Sequence, residues 1–173
     1  MKCGKHDLIA VGAVVRGDVT LGDDVGVWYN AVIRGDFNSI AVGSRTNIQD
    51  NCVLHASPTA PLAVGEGVTI GHGAIVHGCT IGDNTLIGMG SIVMNGAVIG
   101  ANSIIGSGTL ITGGTVIPEG SVVVGNPARI LRTASEVDIR HNRASADFYV
   151  KQIDRMKDDN TLLQEQQGEE RGG

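Results

Sequence analysis

The chain has 173 residues, enough for one domain of ordinary size with a small appendage. It contains 26 Gly but only 2 Phe, 2 Tyr and 1 Trp, which excludes a core built on aromatic side chains and favours a solenoid filled by small aliphatic residues. Lys and Arg total 13 against 18 Asp and Glu, and this net charge of -5, with no basic stripe, argues against binding to nucleic acid.

The first residues, MKCGKHDLIA, contain no apolar run of signal-peptide length, and no stretch approaches the roughly 20 apolar residues of a membrane span. The three cysteines, Cys3, Cys52 and Cys79, are odd in number and lack a CxxC spacing. We therefore expect reduced thiols, with Cys52 and Cys79 packed as small hydrophobes, and a cytoplasmic protein that does not bind membranes.

From about Ile9 the chain follows a six-residue repeat, at first imperfectly, as in VGSRTN, IQDNCV and LHASPT. Each block predicts a short strand that ends in a turn. Its leading aliphatic residue points inward and stacks on its equivalent one coil later, roughly 4.8 Å away. If three blocks make one coil, the segment from Ile9 to Ala128 forms between about six and seven coils of a parallel β-helix.

Three histidines lie in this segment. Leu54 and Val76 open blocks on the same face of successive coils, so His55 and His77, which follow them, are expected to stack within reach of one zinc ion. His72 is the third residue of the intervening block and points toward a different edge. Register therefore predicts a metal site shared between the subunits of a trimer, with His55 and His77 from one chain and His72 from its neighbour.

The repeat is irregular beside these histidines. Ten residues separate the blocks that open at Leu54 and Val64, and five separate those at Val76 and Ile81, instead of six. Insertions in a solenoid are typical of its working face, so the irregularity supports a functional site here.

From Ile81 the repeat is regular: IGDNTL, IGMGSI, VMNGAV, IGANSI, IGSGTL, ITGGTV, IPEGSV and VVGNPA. Every block opens on Ile or Val, Gly is frequent in second place, and the small residues in fifth place suit a tight corner. A disordered Gly-rich segment would not hold β-branched residues at a fixed register.

A helix is predicted near 134–157. Thr133-Ala-Ser-Glu136 matches a capping box, and Val137, Ala146, Val150 and Ile153 follow on helical spacing. The sequence thus predicts three parts: the β-helix at 1–132, a helix packed on it at 133–157, and a polar, disordered tail at 158–173.

Several of these motifs resemble the gamma-class carbonic anhydrase family. The matching segments are Arg34-Gly-Asp36, NIQDNCVLH ending at His55, GHGAIVHGC carrying His72 and His77, IGMGSIV and GNPARI. The resemblance covers nearly all of the solenoid. It implies an all-β, left-handed parallel β-helix, a homotrimer, and zinc (or iron or cobalt) held by the three histidines across each subunit interface.

The resemblance also implies roles for other residues. Gln49 and Asp50 are similar to residues that hydrogen-bond the metal-bound solvent and its surroundings, Asn47 to a polar neighbour of that group, and Tyr149 to a tyrosine turned toward the site. Alternatively, Gln49 and Asp50 satisfy the backbone of a turn.

Arg34 and Asp36 resemble a pair that bridges neighbouring subunits near the site. A structural ion pair is the alternative interpretation, and the two roles are compatible.

One feature departs from the best-studied active members, which relay protons through acidic residues. Phe37 follows Arg34-Gly-Asp36 where such members have a glutamate, and the insertion after His55, ASPTAPLA, contains no acid. We therefore expect a slow enzyme.

Three imidazoles leave a fourth tetrahedral position open for water, and bound zinc lowers the pKa of that water to about 7, for which carbonic anhydrase is itself the standard case. The predicted activity is hydration of carbon dioxide to bicarbonate by metal hydroxide. The alternatives are a non-catalytic metal-binding or scaffold trimer and a coenzyme A-dependent acyltransferase, which uses one histidine as general base.

Overall fold

A computed structural model describes residues 1–171 of the chain, with side chains for residues 1–159. The chain forms a left-handed parallel β-solenoid of about six coils, followed by one helix, α1, at Glu136–Arg171. The strands are β1 Leu8–Ile9, β2 Val14–Leu21, β3 Gly26–Val27, β4 Val32–Val42, β5 Asn47–Ile48, β6 Val53–His55, β7 Leu62–Val64, β8 Thr69–Ile70, β9 Ile75–His77, β10 Thr80–Ile81, β11 Leu86–Ile87, β12 Ile92–Val93, β13 Val98–Ile99, β14 Ile104–Ile105, β15 Leu110–Ile111, β16 Val116–Ile117, β17 Ser121–Val124 and β18 Arg129–Thr133.

The strands stack into three faces. Face 1 consists of β1, β3, β5, β8, β11, β14 and β17, in that order. Face 2 consists of the first halves of β2 and β4, then β6, β9, β12 and β15, and face 3 of their second halves, then β7, β10, β13 and β16. Because β2 and β4 continue around a corner, faces 2 and 3 form one hydrogen-bonded sheet.

The leading residue of each six-residue block fills the interior, as the sequence predicts. On face 1, Ile48, Ile70, Ile87 and Ile105 lie in register on successive coils and are fully buried. Such β-branched residues fit a narrow interior that has no room for aromatic side chains. The same stacking accounts for a chain that has only five aromatic residues in total.

Each corner turns at the fourth place of a block, which the sequence analysis did not single out. Asn84, Gly90, Gly96, Asn102 and Gly108 all have a positive φ there. Gly adopts this left-handed conformation without steric cost, and Asn tolerates it better than most residues.

Helix α1 begins later than the capping box predicted at Thr133-Ala-Ser-Glu136, and that prediction is wrong. Thr133 instead pairs with Ser121 in the antiparallel β17–β18 ladder, so it is not free to cap. Ser135 caps the helix: its hydroxyl accepts the backbone N–H of Asp138, while the Asp138 carboxylate accepts the N–H of Ser135.

The helix continues past Lys157 to Arg171, through the segment predicted as a polar tail, and residues 172–173 lie outside the described part of the chain. It covers face 1 with a stripe at Asn142, Ala146 and Ile153, all buried, whose spacing is typical of one helical face. The side chain of Asn142 donates to the carbonyls of Asn84 and Ser103.

Cys52 and Cys79 are buried free thiols, as predicted, and Cys3 is exposed. Burial raises the pKa of Cys52 to about 11 and that of Cys79 to about 12, so both remain protonated and unreactive near neutral pH. Among the described residues, no helix is both long and apolar enough to cross a membrane.

Candidate metal centre

His55 and His77 lie at the ends of β6 and β9 on face 2, and the two residues are in register. Nδ1 of His55 is 2.9 Å from Nε2 of His77. Parallel pairing of neighbouring coils therefore brings the two imidazoles together as the sequence predicts.

The outer nitrogens of these two rings face hydrogen-bond acceptors. Nε2 of His55 lies 2.9 Å from Oδ1 of Asp36, and Nδ1 of His77 donates to Oδ1 of Asn95. If both rings are neutral, the protons are on these outer nitrogens, and the two inner nitrogens direct lone pairs at each other. Such a pair requires a shared proton or a cation, because facing lone pairs repel.

The two inner nitrogens suit a metal ion. Tetrahedral zinc with Zn–N bonds of 2.0–2.1 Å needs about 3.3 Å between two ligand nitrogens. The observed separation of 2.9 Å differs from that by a few tenths of an ångström, which small side-chain rotations supply. Residues outside the ligand set commonly orient metal-bound histidines in this way, so Asp36 and Asn95 fit that role.

His72 lies at the corner between faces 1 and 2. Its Nδ1 is 2.8 Å from Oδ2 of Asp50, a carboxylate–histidine pair that leaves Nε2 available as a ligand. Within the described part of a single chain, no three His, Cys, Asp or Glu side chains are arranged to hold a metal ion.

Arg34 and Asp36 form an ion pair beside the histidines. Arg34 is in register with His55 on the neighbouring coil. Burial raises the pKa of Asp36, but hydrogen bonds with His55 and Arg34 outweigh it, so the pKa lies below its usual value. The carboxylate is therefore ionised and a strong acceptor for His55.

Gln49 and Asn47 belong to a buried hydrogen-bond network next to His72. The backbone N–H of His72 donates to Oε1 of Gln49, whose Nε2 donates to Oδ1 of Asn47. Asp50 bridges outward, since its Oδ1 accepts the backbone N–H of Tyr29. These contacts connect Gln49 and Asp50 to His72, and they also satisfy backbone N–H groups of neighbouring turns, so both roles predicted from the sequence fit the structure.

Tyr149 lies on α1, where its ring packs edge-on against Trp28 with 5.2 Å between centroids. Burial, and then the charge of Asp50, raise the pKa of its hydroxyl. Tyr149 is thus close enough to Asp50 for that charge to act on its hydroxyl, and its role in the site stays a prediction.

Asn95 is a site residue that the sequence analysis missed. It lies 18 residues after His77, the length of one regular coil of three six-residue blocks, and so it reaches the same edge one coil further on. Searching for polar residues one coil length from each histidine would have found it.

An exposed apolar stripe runs along face 2 beside the two histidines. It consists of the outward-facing residues Val14, Val53, Ile75 and Ile92. A cavity of about 370 Å³ lies at its edge, lined by Ile75, His77, Ile92, Met94 and Asn95 among others. A continuous apolar surface of this kind is typical of a subunit interface.

Comparison with known proteins assigns the fold class and then the family. Residues 78–113 match the family model "Bacterial transferase hexapeptide (six repeats)". The chain is 55% identical over 147 residues to "Probable carbonic anhydrase" of Methanocaldococcus jannaschii, covering 85% of this chain and 92% of that one. It is 48% identical over 143 residues to "Carbonic anhydrase" of Geobacillus kaustophilus, covering 79% of each chain.

Among solved structures, a Bacillus cereus protein described as a candidate acetyltransferase has a TM-score of 0.89 and 38% identity, covering 91% of each chain. The chain is therefore a hexapeptide-repeat β-helix protein. Within that class it belongs to the gamma carbonic anhydrase-like family.

Proposed function

We propose that this chain is a metal-dependent carbonic anhydrase that hydrates carbon dioxide to bicarbonate as a cytoplasmic homotrimer. The observation that carries the proposal is the pair of facing nitrogens on His55 and His77, each ring oriented by a partner on its outer nitrogen. The relatives named as carbonic anhydrases support the same activity.

His55 and His77 of one subunit and His72 of the next would hold zinc, with iron or cobalt as alternatives. Once bound, such an ion supplies a Lewis-acidic position at which water ionises near neutral pH. The chain contributes the orientation of the ligands: Asp36, Asn95 and Asp50 hold the outer nitrogens of the three rings. Gln49 lies beside His72, and its second amide proton would be the group that binds substrate or solvent oxygen.

The apolar stripe on face 2 supports assembly through this face, because burying it against a neighbour gains roughly 25 cal/mol per Å² of apolar surface. Contact through face 2 would bring the corner with His72 of one subunit toward the His55–His77 pair of the next. Arg34 and Asp36 lie on the same face and would then contact the neighbour as well.

Turnover is proposed to be slow. Each hydration releases one proton, and the site must pass it to solvent. The exposed ring of Phe37 lies beside His55 and cannot carry a proton, and the nearby Asp36 carboxylate is already paired with Arg34 and His55.

The test is a stopped-flow assay of carbon dioxide hydration on trimeric protein of verified metal content. His77→Ala is expected to lose both metal and hydration, while His141→Ala, an exposed helix histidine, serves as the matched control and keeps both. Equal hydration by the wild type and His77→Ala would remove the enzymatic proposal and leave a metal-binding or scaffold trimer.

Acyl transfer from coenzyme A is a second candidate, favoured by the similarity to the Bacillus cereus protein. Acyltransferases of this architecture need a single basic histidine rather than a metal, so acetyl transfer that survives removal of the metal would favour this alternative.

A further inference from the structure

A chain of four side-chain hydrogen bonds links the candidate site to the helix. It starts at the backbone N–H of His72 and passes through Gln49 and Asn47 at 3.2 Å each. From Asn47 it continues to Oγ1 of Thr69 at 2.9 Å and from there to Oγ of Ser145 on α1 at 3.2 Å. Thr69 and Ser145 have no role in the site as described above.

The direction of every bond follows from the first donor. A backbone N–H can only donate, so Gln49 must direct its carbonyl oxygen at His72 and its NH₂ group at Asn47. Asn47 must then accept through Oδ1 and donate through its own NH₂ group. Thr69 can accept this donation only through its oxygen, which leaves its hydroxyl proton for Ser145.

Burial leaves these groups few alternatives. Asn47 is 2% exposed, Gln49 6% and Thr69 3%, so solvent has little access to replace a missing partner. If Thr69 could no longer accept, a rotated Asn47 amide would present its NH₂ group to that of Gln49. Gln49 would then rotate in turn and place its NH₂ group against the N–H of His72, where two donors meet.

We propose that Thr69 and Ser145 are positioning residues: they hold the Asn47 amide, and through it the Gln49 amide, in the orientation that the N–H of His72 selects, so that Ser145 of α1 supports the site from a distance. The orientation of the Gln49 amide therefore depends on Thr69, which lies one coil away on face 1. Through Ser145 it also depends on the docking of the helix. The consequence for catalysis rests on the proposed function, whereas the consequence for the Gln49 amide does not.

The test compares Thr69→Val, which removes the hydroxyl and keeps the shape, with Thr69→Ser, which restores the hydroxyl. Thr85→Val is the matched control, because Thr85 is buried on the next coil, next to the residue that pairs with Thr69. Among the described residues, its hydroxyl contacts only the backbone carbonyls of Asp83 and Gly100. The first readout is hydrogen exchange of the Gln49 side-chain amide, measured by NMR on the intact trimer. The second is the separate measurement of kcat and KM for carbon dioxide hydration.

We expect exchange of the Gln49 amide to be faster by about tenfold in Thr69→Val, with kcat lower by about tenfold and KM unchanged, as for the loss of one well-placed hydrogen bond. Thr69→Ser should restore both values. Ser145→Ala should change them by about twofold to threefold, because the Thr69 oxygen still accepts from Asn47.

Gln49 exchange in Thr69→Val equal to that in the wild type and in Thr85→Val would overturn the proposal. A wild type without hydration activity would overturn the proposed function alone, since the exchange comparison still decides whether Thr69 positions Gln49.

Discussion

The phenyl ring of Phe37 lies edge-on to the imidazole of His55, with 5.6 Å between the ring centroids. Phe37 is 59% exposed. It lies in a stretch of β4 that has more residues than the matching stretch of β2, so the register of the two strands shifts there. An exposed apolar ring thus lies beside a candidate metal ligand and offers no acceptor for a proton.

Phe37→Glu is expected to raise kcat for carbon dioxide hydration by about tenfold, within the range of general acid–base contributions. The value of kcat/KM should change little, because proton export follows the hydration step. Phe37→Gln has a similar size but no proton-accepting carboxylate, and it should leave kcat low. A rise of kcat with Gln as large as that with Glu would show that removal of the aromatic ring matters, and not proton transfer.

A mixed-subunit experiment tests whether the site is shared. Trimers that contain both His72→Ala and His77→Ala subunits should recover about one metal ion per trimer, because one interface then combines an intact His55–His77 pair with an intact His72. Trimers of either variant alone should bind none. Mixed trimers without metal, measured by elemental analysis after separation of differently tagged species, would place all three ligands in one chain.

The apolar stripe provides a test of the interface. Ile92→Glu places a charge on face 2, where 38% of the isoleucine is exposed in the single chain, and should convert the trimer to monomer at micromolar concentration. Val116→Glu is the matched control on face 3, since Val116 is 67% exposed there and should tolerate the charge. Light scattering measures both masses. A trimeric Ile92→Glu protein with unchanged dissociation would exclude face 2 as the interface.

We predict that His6 makes the attachment of the helix to the first coil depend on pH. Its Nδ1 lies 2.7 Å from Asp24 and its Nε2 2.6 Å from Asp154 on α1, so both ring nitrogens must carry protons for both bonds to form. The hydrogen bonds with Asp154 and then Asp24 raise the pKa of His6. The stabilisation is therefore complete below the unfolded-state value of about 6.5 and is lost as the pH rises through the higher folded-state value.

His6→Asn removes the imidazole and retains a residue that tolerates the positive φ of this position. We expect the melting temperature of the variant to lie about 1–2 °C below that of the wild type near pH 5.5. The difference is small because the bonds are largely solvent-exposed, and it should be smaller still near pH 9. Calorimetry at the two pH values measures the difference. A deficit that grows with pH would contradict the assignment.

The sequence predicts the solenoid well because its signal is repeated many times. Ile87, Ile105 and Ile117 occupy equivalent places in their blocks, and an error at one block does not disturb the others. The start of α1 depends on a single local pattern, and there the competing β17–β18 pairing of Thr133 moved the cap to Ser135.

The site could be predicted in part. Register placed His55 beside His77, since strand pairing is regular even across the insertion. The sequence analysis did not single out Thr69 and Ser145, because they are ordinary polar residues until the coils and the helix bring them together. Their roles depend on the direction of side chains around the solenoid axis, which the six-residue period does not encode.

Asn142 of α1 contacts the corner at Asn84, and Asp154 contacts the corner at His6, four coils away. Twelve residues of helix rise about 18 Å, and four coils of strands rise about 19 Å, so the two lengths agree. One more coil would require about three more helical residues, which turn the helix by about 300° instead of a full circle and shift its buried stripe by about 60° around the helix axis. The number of coils between His6 and Asn84 and the length of helix between Asn142 and Asp154 can therefore change only together.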